Sequence, residues 1–165
     1  MTTLEPCTLN PIGLARTPYA RRSDCPRNVR QKPAPCRIEL VPAFADGLKD
    51  LASCSHVIVL YWLHAAARDA LIQTPPFDGT PRGVFATRSP NRPNPIGFAA
   101  VPLTGIEGTT VHVLGLDCLD GTPVLDLKPY FASTDAHPDA TVGWFDALGL
   151  ADDAPRVGEK HFPNA

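Results

Sequence analysis

The sequence predicts a mainly β protein, a small closed β-barrel rich in antiparallel strands with one or two short helices. Three observations favour this fold class. The run Val57–Leu63 (VIVLYWL) is apolar throughout and rich in β-branched and aromatic residues, as expected of a buried strand. Other apolar segments are short, follow one another along the chain and are separated by turn signals. The 165 residues, 44% of them hydrophobic, suffice for one core.

Short strands are predicted along most of the chain. In order they are Leu9–Arg16, Arg37–Val41, Val57–Leu63, Val84–Thr87, Phe98–Thr104, Thr109–Leu114 and Val124–Lys128. Turn signals at Gly105–Gly108 and at Asp120-Gly121 separate the last three. Short sequential strands favour an antiparallel barrel or sandwich over alternating βα units, and of these two we expect the closed barrel.

Two short helices are predicted outside these strands. Pro42–Leu51 starts with a proline and has apolar residues at helical spacing, and a second helix is expected after Asp139, where Val142, Phe145 and Leu148 recur. We therefore expect a single domain over residues 1–165, with a core from about 9 to 131 and a C-terminal extension from 132 to 165.

Charge is unevenly distributed along the chain. Residues 1–104 carry 12 Lys and Arg against 7 Asp and Glu, whereas residues 105–165 carry 3 against 10. Seven basic residues between Arg16 and Arg37 accompany a single acid, Asp24. Such a stretch suits an anionic partner, nucleic acid among them, or is a solvated basic arm.

The cysteines and the ends of the chain indicate a reducing compartment. Five cysteines include no CxxC pair and no Cys/His pair at zinc-site spacing, so we expect free thiols and no metal. The N-terminus lacks the pattern of a signal peptide, and no apolar run approaches the roughly 20 residues that span a bilayer. We expect a cytoplasmic protein that does not enter a membrane.

Several common catalytic motifs are absent. The sequence contains no Gly-x-Gly, which argues against a dinucleotide fingerprint and against the glycine-rich loop of doubly wound methyltransferases. It also lacks GxxxxGK[ST], HExxH and GxSxG. Kinase and hydrolase functions therefore lose most of their support.

A proline-rich loop, ATRSPNRPNPIG (86–97), is the most unusual stretch. Prolines at 90, 93 and 95 exclude a helix or an inner strand and stiffen the loop. Such a loop is either a plain connection or a rigid support for Arg88, Arg92 and Asn94. The sequence leaves open whether Arg92 and Asn94 brace the loop, meet a partner chain or contact a substrate.

Two longer segments carry a resemblance to a known family. GVFATRSPNRPNPIGF (83–98) and GLDCLDGTPVLDLKPY (115–130) resemble the TsaA-like (TrmO) family of S-adenosylmethionine-dependent tRNA methyltransferases. Three further segments occur in the family's order: IGLARTPY (12–19), DCPRN (24–28) and SHVIVLYWLH (55–64). The resemblance covers about Ile12 to Tyr130 and implies a small barrel that binds S-adenosyl-L-methionine and works as a homodimer.

The resemblance also implies which residues bind the cofactor. They are Pro26, Arg27, Asn28, His64, Ala65, Arg88, Phe98, Asp117, Cys118, Leu119 and Asp120. We expect Arg88 or Arg27 to pair with the cofactor carboxylate and Asp117 or Asp120 to accept from its ammonium or ribose hydroxyls. Phe98 would form an apolar wall. The family's loop usually reads PRQ rather than PRN, and Ala65 replaces a residue that is often polar.

The expected reaction is N6-methylation of threonylcarbamoyladenosine at position 37 of tRNA, with the anticodon loop as partner. Acceptor-side, or catalytic, candidates are Asp126, Lys128 and Tyr130, although Lys128 could contact an RNA phosphate instead. Only about 35 residues follow Tyr130, too few for the second domain of the better-studied bacterial members. Two alternatives stay open: a methyltransferase with a small-molecule acceptor, and a module that binds S-adenosylmethionine without catalysis.

Overall fold

Six strands close into a barrel in the computed structural model, which describes residues 5–26 and 33–149. The described residues form eight strands in all. They are β1 Gly13–Arg16, β2 Pro35–Leu40, β3 His56–Trp62, β4 Ile72–Gln73, β5 Arg82–Gly83, β6 Ile96–Glu107, β7 Thr110–Leu114 and β8 Thr122–Pro129. The barrel order is β1-β2-β7-β6-β3-β8 with antiparallel pairing throughout, and β4 pairs with β5 in a separate small sheet. The predicted mainly β barrel is confirmed.

Alternation along the strands creates the core. Inward-facing residues are apolar and mostly β-branched, while their neighbours in sequence face outward. The most deeply buried include Ala15, Ile38, Val57, Val59, Tyr61, Val101, Val111, Val113 and Val124. Because the sheet closes on itself, these side chains fill the barrel and no barrel edge is left unpaired.

Strand β3 lies between β6 and β8 in the barrel wall. Its pairing with β8 shifts by one residue between Leu60 and Tyr61, where a bulge re-aims the strand. Opposite Tyr61 on β6 lies Gly97, and a Cβ at that glycine would overlap the tyrosine ring. The glycine therefore makes room for a large aromatic ring inside the barrel.

Two predicted elements differ from the structure. The predicted strand Val84–Thr87 is wrong: Val84–Ala86 is a 3-10 turn, in which Thr87 N–H donates to the Val84 carbonyl and Phe85 is 84% exposed. The predicted helix Pro42–Leu51 is a 3-10 helix over Pro42–Leu48, followed by a 3-10 turn at Leu51–Ser53. Asp50, at φ 65°, separates the two.

The chain continues past the barrel into two short helices, α1 Ala132–Asp135 and α2 Gly143–Asp146. The predicted C-terminal helix is confirmed as α2, and α1 was missed because its single turn carries no apolar periodicity. Within the described part of the chain, no helix has the length and apolar character needed to cross a membrane.

Helix α2 packs on the start of the proline-rich loop and on the segment that precedes it. Trp144 Nε1 donates to the Ala86 carbonyl at 3.0 Å, and its ring stacks on Phe77 at 6.3 Å between centroids. The Arg82 guanidinium lies 4.1 Å from the centre of the same indole and is paired with the buried Asp78. The C-terminal segment therefore holds the loop between β4 and β6 against the domain.

Candidate functional site

The loops at one end of the barrel enclose a cleft of about 320 Å³, which we call the mouth cleft. The end of β3 contributes one wall and the segment between β7 and β8 contributes the opposite wall. Its lining residues are Arg22, Cys25, Leu63, His64, Ala65, Ala66, Pro76, Pro90, Asp117, Cys118, Leu119 and Thr122. Apolar and polar groups therefore meet at a site that five separate loops build.

A hydrogen bond from inside the barrel fixes the carboxylate of the mouth cleft. The Tyr61 hydroxyl donates to Asp117 Oδ1. Burial and the neighbouring Asp117 charge raise the pKa of Tyr61 far above its ordinary value, so the phenol stays protonated and remains a donor. Asp117 Oδ2 accepts no hydrogen bond from the described residues and is left for a ligand.

The thiols of the mouth cleft are not reactive. Burial raises the pKa of Cys118 to about 12, and it also raises the pKa of Cys25. Both side chains are therefore neutral thiols at physiological pH. All five cysteines are free of disulfides, as predicted.

Arg92 holds the proline-rich loop in shape. Its guanidinium donates to three carbonyl oxygens of the same loop, those of Val84, Thr87 and Ser89. Its backbone N–H donates to the Ala67 carbonyl at 3.1 Å, which ties this loop to the wall that carries His64. Of the roles left open for Arg92, the structure therefore shows the bracing one.

Asn91 and Pro95 add two further ties between the same loops. The Ala67 N–H donates to Asn91 Oδ1 at 3.1 Å, and the Leu63 N–H donates to the carbonyl of the buried Pro95 at 2.8 Å. The β3–β4 loop and the proline-rich loop are thus one unit, and Leu63 to Ala66 are held in place by it.

Arg88 and Phe98, two of the predicted cofactor residues, lie at the two ends of the proline-rich loop and contact each other. Arg88 Nη2 donates to the Phe98 carbonyl at 2.9 Å, and the guanidinium lies 5.8 Å from the Phe98 ring centre. Arg88 is also close enough to Tyr61 to oppose the rise in its pKa. This cation therefore stands near the Tyr61–Asp117 pair although it does not line the cleft.

The structure brings together five of the predicted cofactor residues. His64, Ala65, Asp117, Cys118 and Leu119 all line the mouth cleft.

The remaining predicted cofactor residues lie elsewhere. Asp120 faces a different cleft and accepts from the Thr17 N–H at 3.1 Å, and Pro26 follows the lining residue Cys25 without lining the cleft itself. Arg27 and Asn28 lie outside the described residues.

The three acceptor-side candidates lie at and beyond the end of β8, away from the mouth cleft. Lys128 Nζ pairs with Asp126 Oδ2 at 2.6 Å, and the Tyr130 ring lies 6.3 Å from His56. Asp126 and Phe98 are both paired with Leu60 of β3, from opposite sides. These candidates therefore share the outer wall with Phe98 rather than the cleft with Asp117.

Sequence reasoning missed Tyr61 and Thr122. Tyr61 was placed in the core with the rest of VIVLYWL, yet a buried phenol needs a hydrogen-bond partner, and that requirement was an available signal. Thr122 is the one polar side chain among the fully buried described residues and lines the mouth cleft. Among the described residues, no group of three or more His, Cys, Asp or Glu could hold a metal ion.

Comparison with known protein families shows to which family this chain belongs. A profile of the tRNA-methyltransferase O N-terminal domain matches residues 14–136. The chain belongs to this family. The resemblance to the TsaA-like (TrmO) family is thereby confirmed, and the barrel with its mouth cleft lies within the matched region.

Relatives within the TrmO family cover different shares of this chain. A protein of Archaeoglobus fulgidus named a probable S-adenosyl-L-methionine-binding protein is 51% identical over 84% of this chain and 38% of its own length. The mouse tRNA (adenine(37)-N6)-methyltransferase is 43% identical over 58% of this chain and 23% of its own. A crystal structure of TrmO from Pseudomonas aeruginosa, 38% identical, superposes with a TM-score of 0.74 over 87% of this chain and 65% of that one. The chain thus spans less than two thirds of each of these relatives.

Proposed function

We propose that this protein is an S-adenosylmethionine-dependent methyltransferase that methylates N6 of threonylcarbamoyladenosine at position 37 of tRNA. The observation that carries the proposal is the mouth cleft, in which five of the expected cofactor residues meet within a TrmO-family domain. The names of relatives support it, since they include S-adenosyl-L-methionine-binding proteins and a tRNA (adenine(37)-N6)-methyltransferase.

The residues of the mouth cleft fit S-adenosylmethionine in size and chemistry. Small-molecule sites measure about 300–1,000 Å³, and this cleft of about 320 Å³ is at the lower end of that range. The free oxygen of Asp117 is an acceptor for an ammonium or ribose hydroxyl, while His64 adds a ring nitrogen. Leu63 and Leu119 supply the apolar surface that an adenine or a thioether requires.

Arg88 is the residue that we assign to the cofactor carboxylate. A guanidinium binds a carboxylate through two parallel hydrogen bonds, which a lysine does not reproduce. Arg88 uses Nη2 for the Phe98 carbonyl, which fixes the orientation of the fork and leaves its other nitrogens as donors. Phe98, 46% exposed, places an aromatic face beside that cation.

The protein's contribution to the reaction is positioning. When bound, S-adenosylmethionine would supply a methyl group on a positively charged sulfur. The acceptor N6 would have to be held in line with that methyl and would lose its proton to water as the methyl–sulfur bond breaks. Such positioning is worth effective molarities of about 10⁵ M or more. The hydrogen-bonded Tyr61–Asp117 pair and the loop unit braced by Arg92 keep the cleft walls fixed, which lowers the entropy that binding must overcome.

Asp126, Lys128 and Tyr130 remain candidates for the acceptor side. Asp126 and Lys128 form an ion pair on the wall shared with Phe98. Their charges suit a polar acceptor, and Lys128 suits an RNA phosphate.

We further propose that the protein is a homodimer in the cytoplasm. The outer wall of the barrel exposes Phe98 and Ile96, and the neighbouring 3-10 turn exposes Phe85. Exposed large apolar side chains in one region are typical of protein interfaces. Sedimentation equilibrium at micromolar concentration is expected to give twice the chain mass; a single chain mass at all concentrations argues against the dimer.

The function is tested by mass spectrometry of tRNA nucleosides from cells with and without the gene. The proposal predicts that methylated threonylcarbamoyladenosine disappears on deletion, returns with the wild-type gene and fails to return with Asp117→Ala. If the nucleoside is unchanged and a small-molecule extract becomes methylated, the acceptor is a metabolite. Calorimetric binding of S-adenosylmethionine without any methylated product indicates a binding module.

A further inference from the structure

A second cleft, of about 650 Å³, lies on the outer face of β1, β2 and β7 near the same end of the barrel. We call it the flank cleft; it is lined by Arg16, Thr17, Pro18, Pro35, Cys36, Arg37, Glu39, His112 and Asp120. Only the short segment 117–120 separates the two clefts, since Asp117 to Leu119 line the mouth cleft and Asp120 lines the flank cleft.

A row of basic side chains crosses three neighbouring strands in the flank cleft. The strand register places Arg16 directly opposite Arg37, and Arg37 directly opposite His112. Like charges directly opposite each other on a sheet destabilise it. The row supplies several donors in one line, and the opposed arginines are bridged by Glu39, which accepts from both.

Glu39 offsets only part of this positive charge. Its two oxygens accept from Arg16 Nε at 2.7 Å and from Arg37 Nε at 2.9 Å, and both contacts lower the pKa of Glu39. Asp120 Oδ2 lies 3.8 Å from Arg16 Nη1. Arg16 is thus balanced by two acids, whereas Arg37 shares one.

The terminal nitrogens of Arg37 and the Nε2 of His112 are left without hydrogen-bond partners among the described residues. The Arg37 side chain is 53% exposed, and its Nε is the nitrogen used by Glu39. His112 Nε2 is shielded from solvent, and the nearest acid, Glu107, is 3.8 Å away, beyond hydrogen-bond distance. Of the two, Arg37 alone presents free, pre-oriented donors to the flank cleft, because His112 Nε2 is shielded.

We propose that the flank cleft binds a phosphate of the RNA backbone next to the nucleoside that meets the cofactor at the opening of the mouth cleft. The inference rests on the proposed function, because it assumes an RNA acceptor. A nucleotide at the opening of the mouth cleft carries phosphates a few ångströms away along its strand, and the flank cleft, across the 117–120 segment, presents the terminal nitrogens of Arg37. Arginine forks are the common protein contacts to phosphate oxygens.

The cleft is tested by measuring tRNA affinity against salt concentration for the wild type, Arg37→Gln and Arg37→Lys. Lys49→Gln is the matched control, since Lys49 is an exposed cation outside both clefts. Loss of one phosphate contact is expected to weaken binding about fivefold at low salt. It should also reduce the slope of log K against log salt by about 0.7–0.9.

Arg37→Lys should recover most of the slope, because it keeps the charge, and circular dichroism confirms that each variant is folded. S-adenosylmethionine affinity, measured on the same samples, should be unchanged. Wild-type affinity and slope in Arg37→Gln, alongside active tRNA methylation, would overturn the flank cleft and leave the proposed function standing. The predicted slope change without methylation of any tRNA would support the flank cleft and overturn the proposed function. A wild-type protein that binds no tRNA at low salt would overturn the flank cleft.

Discussion

Asp117 is the residue on which the proposed cofactor site depends. Tyr61 occupies one of its oxygens from inside the barrel, so the carboxylate cannot rotate away from the mouth cleft. The family resemblance predicted Asp117, and a buried phenol predicts some hydrogen-bond partner, but the pairing of the two is not readable from the sequence, because they are 56 positions apart and meet only when the barrel closes. The same is true of the ties that make Arg92 a brace.

Replacing Asp117 by asparagine should weaken S-adenosylmethionine binding with little change in stability. The amide oxygen still accepts from Tyr61, but the negative charge offered to the ligand is lost. A hydrogen bond to a charged group is worth about 1.5–3 kcal/mol, so we expect the Kd from calorimetry to rise about 10- to 100-fold. Asp46→Asn, an exposed acid outside the cleft, is the control, and equal Kd values for the two variants would refute the assignment.

Cys118 makes the stability of the protein sensitive to alkaline pH. The folded protein holds this thiol protonated up to about pH 12, whereas the unfolded chain loses the proton near the ordinary pKa of 9.0. Above pH 9 the unfolded state therefore binds fewer protons, and the free energy of unfolding falls by up to about 1.4 kcal/mol per pH unit. Urea unfolding of the wild type and Cys118→Ala between pH 8 and 10 should show the steeper decline in the wild type; identical slopes would contradict this.

Strand β6 shows why some glycines of the barrel are replaceable and others are not. Gly97 and Gly105 are both in this strand, but a Cβ at Gly97 would overlap the Tyr61 ring, whereas a Cβ at Gly105 meets no atom within 4 Å. The sequence alone does not distinguish them, because the difference is made by the strand paired opposite.

Gly97→Ala should therefore destabilise the protein by about 1–3 kcal/mol, the usual cost of overfilling a packed interior. It should also weaken S-adenosylmethionine binding, since Tyr61 holds Asp117. Gly105→Ala is the matched control and should leave both properties within about 0.5 kcal/mol of the wild type. Thermal unfolding and calorimetry measure the two effects, and equal behaviour of both alanine variants would show that Tyr61 is free to move.

Helix α2 lies beyond residues 14–136, the part matched by the family profile, yet it supports the loop that leads to Arg88. Trp144→Ala removes the hydrogen bond to Ala86 and the ring beneath Arg82. Because no barrel residue is touched, we expect the melting temperature to change little while the Kd for S-adenosylmethionine rises several-fold. Trp144→Phe keeps the stacking and should lie between. A large loss of melting temperature with unchanged affinity would show that α2 supports the core instead.

Strand prediction succeeded where one face of the chain is buried and failed where local turns decide. Short apolar segments bounded by turn signals predicted β2, β3, β6, β7 and β8, because a strand with a buried face is rich in apolar and β-branched residues. Val84–Thr87 has the composition of a strand, but its carbonyls are used by Arg92 rather than by a neighbouring strand. Which loops meet at the mouth cleft follows from barrel order, which composition does not reveal.

The whole molecule combines a rigid barrel with two clefts at one end. The mouth cleft unites residues from five loops, and the flank cleft lies beside it on the outer wall. The basic stretch predicted from the sequence contributes Arg16 and Arg37 to the flank cleft, while the acids of the later part of the chain contribute Asp117 to the mouth cleft.

The most direct measurement is transfer of an isotopically labelled methyl group from S-adenosylmethionine to purified tRNA that carries threonylcarbamoyladenosine at position 37. The account predicts one labelled methyl on that nucleoside by mass spectrometry with the wild type, and a large loss of product with Asp117→Asn at subsaturating S-adenosylmethionine. An unlabelled nucleoside, from wild-type protein that binds both S-adenosylmethionine and the tRNA, would contradict it.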